Sequence, residues 1–188
     1  MNTVLLYGSE KNARTGIALF AAIRAVGCSA LHVTPKSISM IPPGNRAPDF
    51  LILEFTEIPE LIVGNGLVLF EQESGLSLFQ KQPEIPVGFT AVVDPDNADA
   101  IEMLQRNSMQ TVTCGMSQKD TVTFSSLDSD RAVVSLQREL RSLSGTTIEP
   151  REFPVGFSKQ PGEYQLLASA AVLLLSDIPI PDDGFMLS

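Results

Sequence analysis

Four short runs of the chain are apolar at nearly every position, and they constrain the fold more than any other feature. They cover residues 3–7 (TVLLY), 49–55 (DFLILEF), 66–70 (GLVLF) and 87–93 (VGFTAVV). A strand with one face in water alternates apolar and polar residues, because successive side chains point to opposite faces. Strands that are apolar on both faces are typical of a parallel sheet covered by helices on both sides. The pattern therefore predicts a buried, mostly parallel sheet.

Helical patterns lie between these runs. Residues 14–26 (RTGIALFAAIRAV) are apolar nearly all round and end before Gly27, and residues 97–107 form a second helical pattern. Two more strands are predicted at residues 29–33 and 110–114. Because strands alternate with helices, we predict an α/β fold, a doubly wound sheet with flanking helices and right-handed crossovers.

The other segments have their own signatures. Residues 34–48 contain four prolines and are predicted to be an exposed loop. Residues 119–156 are short alternating runs joined by turn signals, which indicates a small antiparallel hairpin region. Residues 162–176 include LLASAAVLLL, about half the roughly 20 residues that a membrane-spanning helix needs, so we predict a buried helix. We expect a single domain over residues 1–177, followed by a loosely ordered tail at 178–188.

The charge balance bears on the class of partner. The chain has 13 Lys and Arg against 22 Asp and Glu, a formal net charge of -9. Nucleic acid and anionic membrane surfaces are therefore disfavoured as partners. The two cysteines, Cys28 and Cys114, are too few for a disulfide framework and are predicted to be small buried side chains. The N-terminus carries no secretory signature, so a cytoplasmic location is expected.

Five segments occur in an order that resembles a known family. A first strand runs into a Gly-rich loop, a later strand ends in an acid, another precedes an Asp-rich turn and helix, a Thr-x-Gly turn opens an antiparallel insertion, and a final helix follows a Gly. The segments are LLYGSEKNARTG, DFLILEFTE, AVVDPDNADAIEML, TVTCGMSQKDTVTFSS and PGEYQLLASAAVLLL. In this order the chain resembles the central, ATP-binding domain of Mur ligases and folylpolyglutamate synthetases over residues 1–176. The resemblance implies a fold like that of this P-loop domain.

The phosphate-binding loop that the resemblance implies is altered in this chain. The pattern G-x4-G-K-[ST] binds phosphates through backbone N–H groups and a Lys, and its hydroxyl holds Mg²⁺. Here Gly8 is followed by four residues and then by Ala13, Arg14 and Thr15, so Ala replaces the second Gly and Arg replaces the Lys. Arg is a planar fork rather than a compact point charge, and it does not replace Lys in such a loop.

The shorter form of the loop in Mur ligases, G-T-N-G-K-T-T, is not restored either. Against it, the second Gly and the Lys fall on Lys11 and Asn12. We favour a structural turn, and binding of ATP or of another anion at the helix N-terminus remains open as an alternative. The candidate phosphate-binding residues are Gly8, Ser9, Lys11, Asn12, Arg14 and Thr15.

The metal site that the resemblance implies is also incomplete. Glu54 matches the family's Mg²⁺-binding acid at the end of a strand, and Thr15 matches the loop hydroxyl, so these two are the candidate metal ligands. The family's T-N-x-x-x-D-H segment appears here as LVLFEQESGLS, without its metal-binding His. The one histidine, His32, lies far upstream and is predicted to be a core or edge residue. Segment 94–97 (DPDN) is predicted to be a turn and helix cap.

These changes argue against the family's amide-forming reaction. We also find no counterpart within these 188 residues of the two flanking domains that such a ligase uses. No cofactor is expected, with ATP and Mg²⁺ as the alternative. The favoured hypothesis is a non-catalytic domain that binds a protein partner or forms a homo-oligomer, through residues 34–48 or 178–188. A residual nucleotide- or phosphate-binding protein is the second hypothesis, and a subunit acting beside a separate catalytic chain is the third.

Overall fold

The computed structural model describes residues 1–8, 14–44, 46–55, 64–72, 85 and 88–187. Within them the helices are α1 (Arg14–Ala25), α2 (Ala98–Arg106) and α3 (Glu163–Leu175). The strands are β1 (Asn2–Tyr7), β2 (Ala30–Val33), β3 (Ile38–Ile41), β4 (Phe50–Phe55), β5 (Gly66–Phe70), β6 (Phe89–Val93), β7 (Gln110–Thr113), β8 (Val122–Leu127), β9 (Arg131–Leu136), β10 (Leu140–Arg141), β11 (Thr147–Ile148), β12 (Arg151–Phe157) and β13 (Phe185–Leu187).

The largest sheet has seven strands in the order β3-β2-β4-β1-β5-β6-β7. All neighbouring pairs are parallel except β2 and β3, which are antiparallel. The prediction of a loop over residues 34–48 was therefore wrong in part, because residues 38–41 form an edge strand. The prolines flank these four residues, and an edge strand needs hydrogen bonds on one side only, so the run ISMI pairs despite them.

Helices cover both faces of this sheet, which confirms the predicted doubly wound α/β fold. One face packs against α1 and α3, and side chains from β1, β4, β5 and β6 contribute to that core. The alternate side chains of β1, β5 and β6 pack against α2 on the other face. The central strands are largely buried on both sides, which is why they are apolar at nearly every position.

A second sheet, with strand order β13-β12-β9-β8, packs on the outer side of α3. The β8-β9 and β9-β12 pairs are antiparallel, which confirms the hairpin region predicted at 119–156. Helix α3 lies between the two sheets, and every residue from Tyr164 to Leu175 is buried. Its all-round apolar sequence reflects this sandwiched position. Across the described ranges, neither α3 nor any other helix has the length and apolar character needed to span a bilayer.

The C-terminal segment is more regular than predicted. Strand β13 pairs in parallel with β12 through residues 185–187, and Ile180 is buried at 5% exposure. Arg151 donates hydrogen bonds to the Ile180 carbonyl at 3.1 Å and to the Asp182 carboxylate at 3.0 Å. The expectation of a loosely ordered tail was therefore wrong for these residues, because the apolar side chains among the prolines complete the second sheet.

Candidate functional site

The carboxyl ends of the central parallel strands meet beneath the first turn of α1. Ligand sites of open α/β sheets form at this edge. His32 from β2 and Glu54 from β4 lie on the sheet face that α1 covers, and Glu71 directly follows β5 and also reaches α1. Gly8 directly follows β1, which lies between β4 and β5. One small region thus contains two carboxylates, an imidazole and the start of the predicted phosphate loop.

Glu71 occupies the N-terminal end of α1. The Thr15 hydroxyl donates a hydrogen bond of 2.6 Å to one oxygen of the Glu71 carboxylate, and the Thr15 backbone N–H donates one of 3.3 Å to the other. The first N–H groups of a helix have no partner within the helix and, with the helix dipole, favour an anion. The carboxylate of Glu71 supplies that anion from within the chain.

The predicted phosphate-binding residues are divided by this arrangement. Gly8 lies against Glu71, whose side chain would overlap a Cβ at position 8. Thr15 is fully buried and bonded to Glu71, whereas Arg14 is exposed at the first position of α1. Ser9, Lys11 and Asn12, which the sequence also predicts as phosphate ligands, lie outside the described residues.

The backbone of Glu71 is held from two sides. Its N–H donates to the Tyr7 carbonyl at 2.7 Å, which extends the pairing of β1 with β5. Its carbonyl accepts a hydrogen bond of 2.9 Å from the Asn97 side-chain amide. Asn97 in turn caps α2 by accepting from the Ala100 N–H at 3.1 Å, which confirms the predicted turn and cap at 94–97. Two elements therefore fix the direction in which Glu71 leaves the sheet.

Glu71 is only 2% exposed, and this burial has the largest effect on the pKa of its carboxyl group. Burial raises the pKa of this carboxyl from 4.5 to about 7, the Thr15 hydrogen bonds lower it, and the charge of Glu54 raises it further. Desolvation disfavours the charged form of an acid, so a buried carboxyl titrates at higher pH than a solvated one. Near neutral pH this group is therefore close to its midpoint.

His32 and Glu54 form a second pair in the same region. The two lie on neighbouring strands, and their Nε2 and Oε1 atoms are 2.8 Å apart. We assign the proton of this hydrogen bond to Nε2 of His32, because a carboxylate accepts hydrogen bonds and does not donate them. Helix α1 crosses the pair at Gly16, where a Cβ would overlap the Glu54 carboxylate and lie 3.0 Å from Nε2 of His32. Glycine at this position therefore lets the helix approach the pair closely.

A pocket of about 280 Å³ opens beside this pair. Its lining combines an apolar wall from α1 with hydroxyl and charged groups from the β2–β3 hairpin and β4. The lining residues are Ile17, Phe20, His32, Thr34, Pro35, Lys36, Ser37, Ser39 and Glu54.

The two predicted metal ligands have different partners. Thr15 donates to Glu71, and Glu54 accepts from His32. Among the described residues, no three His, Cys, Asp or Glu side chains are grouped as they would be around a metal ion.

Sequence reasoning missed both pairings. In the sequence, Glu71 lies in a segment that lacks the family's histidine, and His32 is predicted to be a core or edge residue. The two pairs join residues 56 and 22 positions apart. The one available signal was an acid placed directly after an otherwise apolar strand, at the edge where parallel strands end.

No family model matches the chain, and no curated protein matches it either. The fold is similar to solved structures of several ligases. A bifunctional folylpolyglutamate synthase/dihydrofolate synthase with Mn, AMPPNP and L-glutamate bound aligns with a TM-score of 0.60 and 14% identity, covering 97% of this chain and 55% of that one. The UDP-N-acetylmuramate:L-alanyl-gamma-D-glutamyl-meso-diaminopimelate ligase of Neisseria meningitides aligns with a TM-score of 0.58 and 11% identity, covering 93% and 61%. MurF ligase of Thermotoga maritima, in complex with ADP, aligns with a TM-score of 0.50 and 15% identity, covering 93% and 44%.

The structural resemblance to Mur ligases and folylpolyglutamate synthases is thereby confirmed at the level of the fold. The alignments extend over nearly the whole chain, whereas the chain spans about half the length of these enzymes. At sequence identities of 11% to 15%, these alignments establish a similarity of fold and nothing further.

Proposed function

We propose that this chain is a non-catalytic Mur-ligase-like domain whose phosphate site is filled by its own Glu71. The observation that carries the proposal is the pair of hydrogen bonds from Thr15 to the Glu71 carboxylate. These are the helix N–H and the hydroxyl that a triphosphate and its Mg²⁺ would need. When Glu71 is ionised, an incoming phosphate would also meet a buried carboxylate of like charge, and such repulsion is strong where water is excluded.

Two further observations support the same proposal. Arg14 stands where the phosphate loop requires Lys, and it is exposed. The acid predicted to hold Mg²⁺, Glu54, is hydrogen-bonded to His32 instead. The alternative, a residual nucleotide-binding protein that uses residues 8–15 and Glu54, would have to break both pairings.

The test is a thermal-shift titration of the natural chain with ATP and Mg²⁺. A ligand at 100 times its Kd adds about 2.7 kcal/mol to the free energy of unfolding, which is readily seen as a rise in Tm. We expect no rise. A saturable rise that Arg14→Ala removes and Arg24→Ala retains would refute the proposal, since both arginines lie on α1 and are exposed. Hydrolysis of ATP that is lost in Glu54→Gln would refute it equally.

We further propose that such a domain acts by binding a protein partner or a second copy of itself, and strand β3 supports this. It is the outer strand of the seven-stranded sheet, and no described strand pairs with its free edge. Ile38 and Met40 are 72% and 59% exposed on it. An exposed apolar edge strand is a template for pairing with another chain.

Light scattering after size exclusion tests this second proposal. If β3 pairs between two copies, the natural chain elutes as a dimer and Ile38→Lys elutes as a monomer. Met116→Lys changes an exposed methionine outside β3 and should leave the dimer intact. A monomeric natural chain would exclude self-assembly. Pull-down from native lysate would then have to recover a protein that Ile38→Lys loses, and recovery of none would refute partner binding through β3.

A further inference from the structure

The pocket beside α1 has a carboxyl group in its floor. Glu54 and His32 form the floor, and their side chains are 11% and 8% exposed. Among the described residues, His32 is the only hydrogen-bond donor to Glu54. A carboxylate has about four lone-pair positions and cannot donate. The floor therefore offers acceptor capacity to a ligand that carries donors.

The wall of the pocket is apolar and aromatic. The ring of Phe20 lies 5.7 Å from the His32 ring, and Ile17 is 67% exposed on the same side of α1. The guanidinium of Arg24 lies 5.5 Å from the Phe20 ring centroid, so the ring already attracts one cation. Small-molecule sites combine such an apolar wall with a few polar groups that converge on one point.

Charge decides which class of ligand fits best. The Glu54 carboxyl lies at the base of the pocket, and the chain as a whole carries a formal net charge of -9. Lys36 also lines the pocket, but it is exposed, so water screens its charge more than it screens the nearly buried carboxylate. An anion at the floor is therefore repelled, whereas an ammonium group can donate charge-assisted hydrogen bonds to Glu54.

We propose that this pocket binds a small organic ammonium ion, with its charged group at Glu54 and His32 and its apolar body against Phe20 and Ile17. A volume of about 280 Å³ suits a single ring with a short aminoalkyl group. The proposal does not depend on the hydrogen bonds between Thr15 and Glu71, because neither residue lines the pocket.

The test uses three probes that share one ring: benzylamine, benzyl alcohol and benzoate. Each is titrated into the ¹⁵N-labelled full chain, and the amide shifts of residues 17–20 and 32–39 are followed. A probe of this size is expected to bind with a Kd on the order of 1 mM. We expect benzylamine to saturate these shifts, benzyl alcohol to bind more weakly, and benzoate to leave them unchanged.

Two variants locate the charged contact. Glu54→Gln should weaken benzylamine about tenfold or more, because it removes a charge-assisted hydrogen bond. Glu102→Gln, on α2 at the opposite face of the sheet, should leave the Kd unchanged. The dispersion of the spectrum shows that each variant is folded. If Glu54→Gln does not fold, Phe20→Leu replaces it and should weaken benzylamine by loss of the aromatic wall.

Three results would overturn the proposal. One is the absence of saturable shifts in these residues up to about 10 mM benzylamine, ten times the expected Kd. The second is benzoate or benzyl alcohol binding as tightly as benzylamine. The third is an unchanged Kd in whichever of Glu54→Gln and Phe20→Leu is folded.

Discussion

Replacing Glu71 with Gln should change how the stability of the chain depends on pH. Gln has the shape of Glu but cannot ionise. Its amide oxygen can accept one of the two hydrogen bonds that Thr15 makes to Glu71, and its NH2 group can donate to the Thr15 hydroxyl oxygen. The natural carboxyl must lose its proton in a site where it is 2% exposed. The variant therefore removes the ionisation and keeps most of the packing.

The sign and size follow from the pKa of Glu71, which burial raises from 4.5 to about 7. A raised pKa means that the folded chain holds the proton more tightly than the unfolded chain. The resulting stability is fully present below pH 4.5, declines as the pH rises toward 7, and is gone above it. At 1.36 kcal/mol per pKa unit, the loss comes to about 3 kcal/mol.

The assay is urea unfolding of both proteins at several pH values between 4.5 and 8, followed by circular dichroism because the chain has no tryptophan. We expect Glu71→Gln to gain about 3 kcal/mol in the free energy of unfolding relative to the natural chain across this range. Glu149→Gln, which changes an exposed acid between β11 and β12, should show the same pH profile as the natural chain. Parallel pH profiles for the natural chain and Glu71→Gln would refute the argument that Glu71 ionises in a desolvated site.

Three further changes test the contacts that position the site and the sheets. Asn97→Ala should lower the free energy of unfolding by about 1 kcal/mol or more, because α2 loses its cap and the Glu71 carbonyl loses a donor. Asn97→Asp should keep the cap but not the hydrogen bond to the Glu71 carbonyl. Equal urea midpoints for the natural chain and both variants would contradict this. Gly184→Ala should detach β13 from β12, because Gly184 has a φ of 77° and a Cβ there would overlap the Pro154 carbonyl. Unchanged hydrogen exchange at residues 185–187 would contradict this prediction. Leu167→Ala should cost about 2–5 kcal/mol in urea unfolding, because it opens a cavity in fully buried α3, and a cost below about 1 kcal/mol would mean that α3 is not enclosed.

The parallel sheet and its helices could be predicted because their signal is local. Residues 66–70 are apolar at each position, and that pattern alone gives β5 with the bounds that the structure has. Strand β3 was missed for a similar local reason, since the prolines around it are typical of a loop. Residues 38–41 (ISMI) form a strand only because the edge of β2 is available to pair with them. That availability depends on the tertiary structure and cannot be read from the four residues themselves.

The two side-chain pairings could not be predicted because neither is local. Glu71 and Thr15 come together only when β1 and β5 are neighbours and α1 crosses above them. His32 meets Glu54 because β2 and β4 are adjacent and both side chains point to the α1 face. The sequence gives the residue types at strand ends, and the strand order then decides which of them meet.

The Glu71 carboxylate also sets a condition on any anion that competes for the N-terminus of α1. Glu71 is tethered by the Tyr7 and Asn97 hydrogen bonds to its backbone, so it competes as an intramolecular ligand with little further loss of entropy. A phosphate from solution must first displace it or share the site with it. Sharing is least unfavourable when Glu71 is protonated, below its pKa of about 7. Anion binding at this helix is therefore linked to uptake of a proton, and at alkaline pH the anion has to displace the carboxylate that already occupies the site.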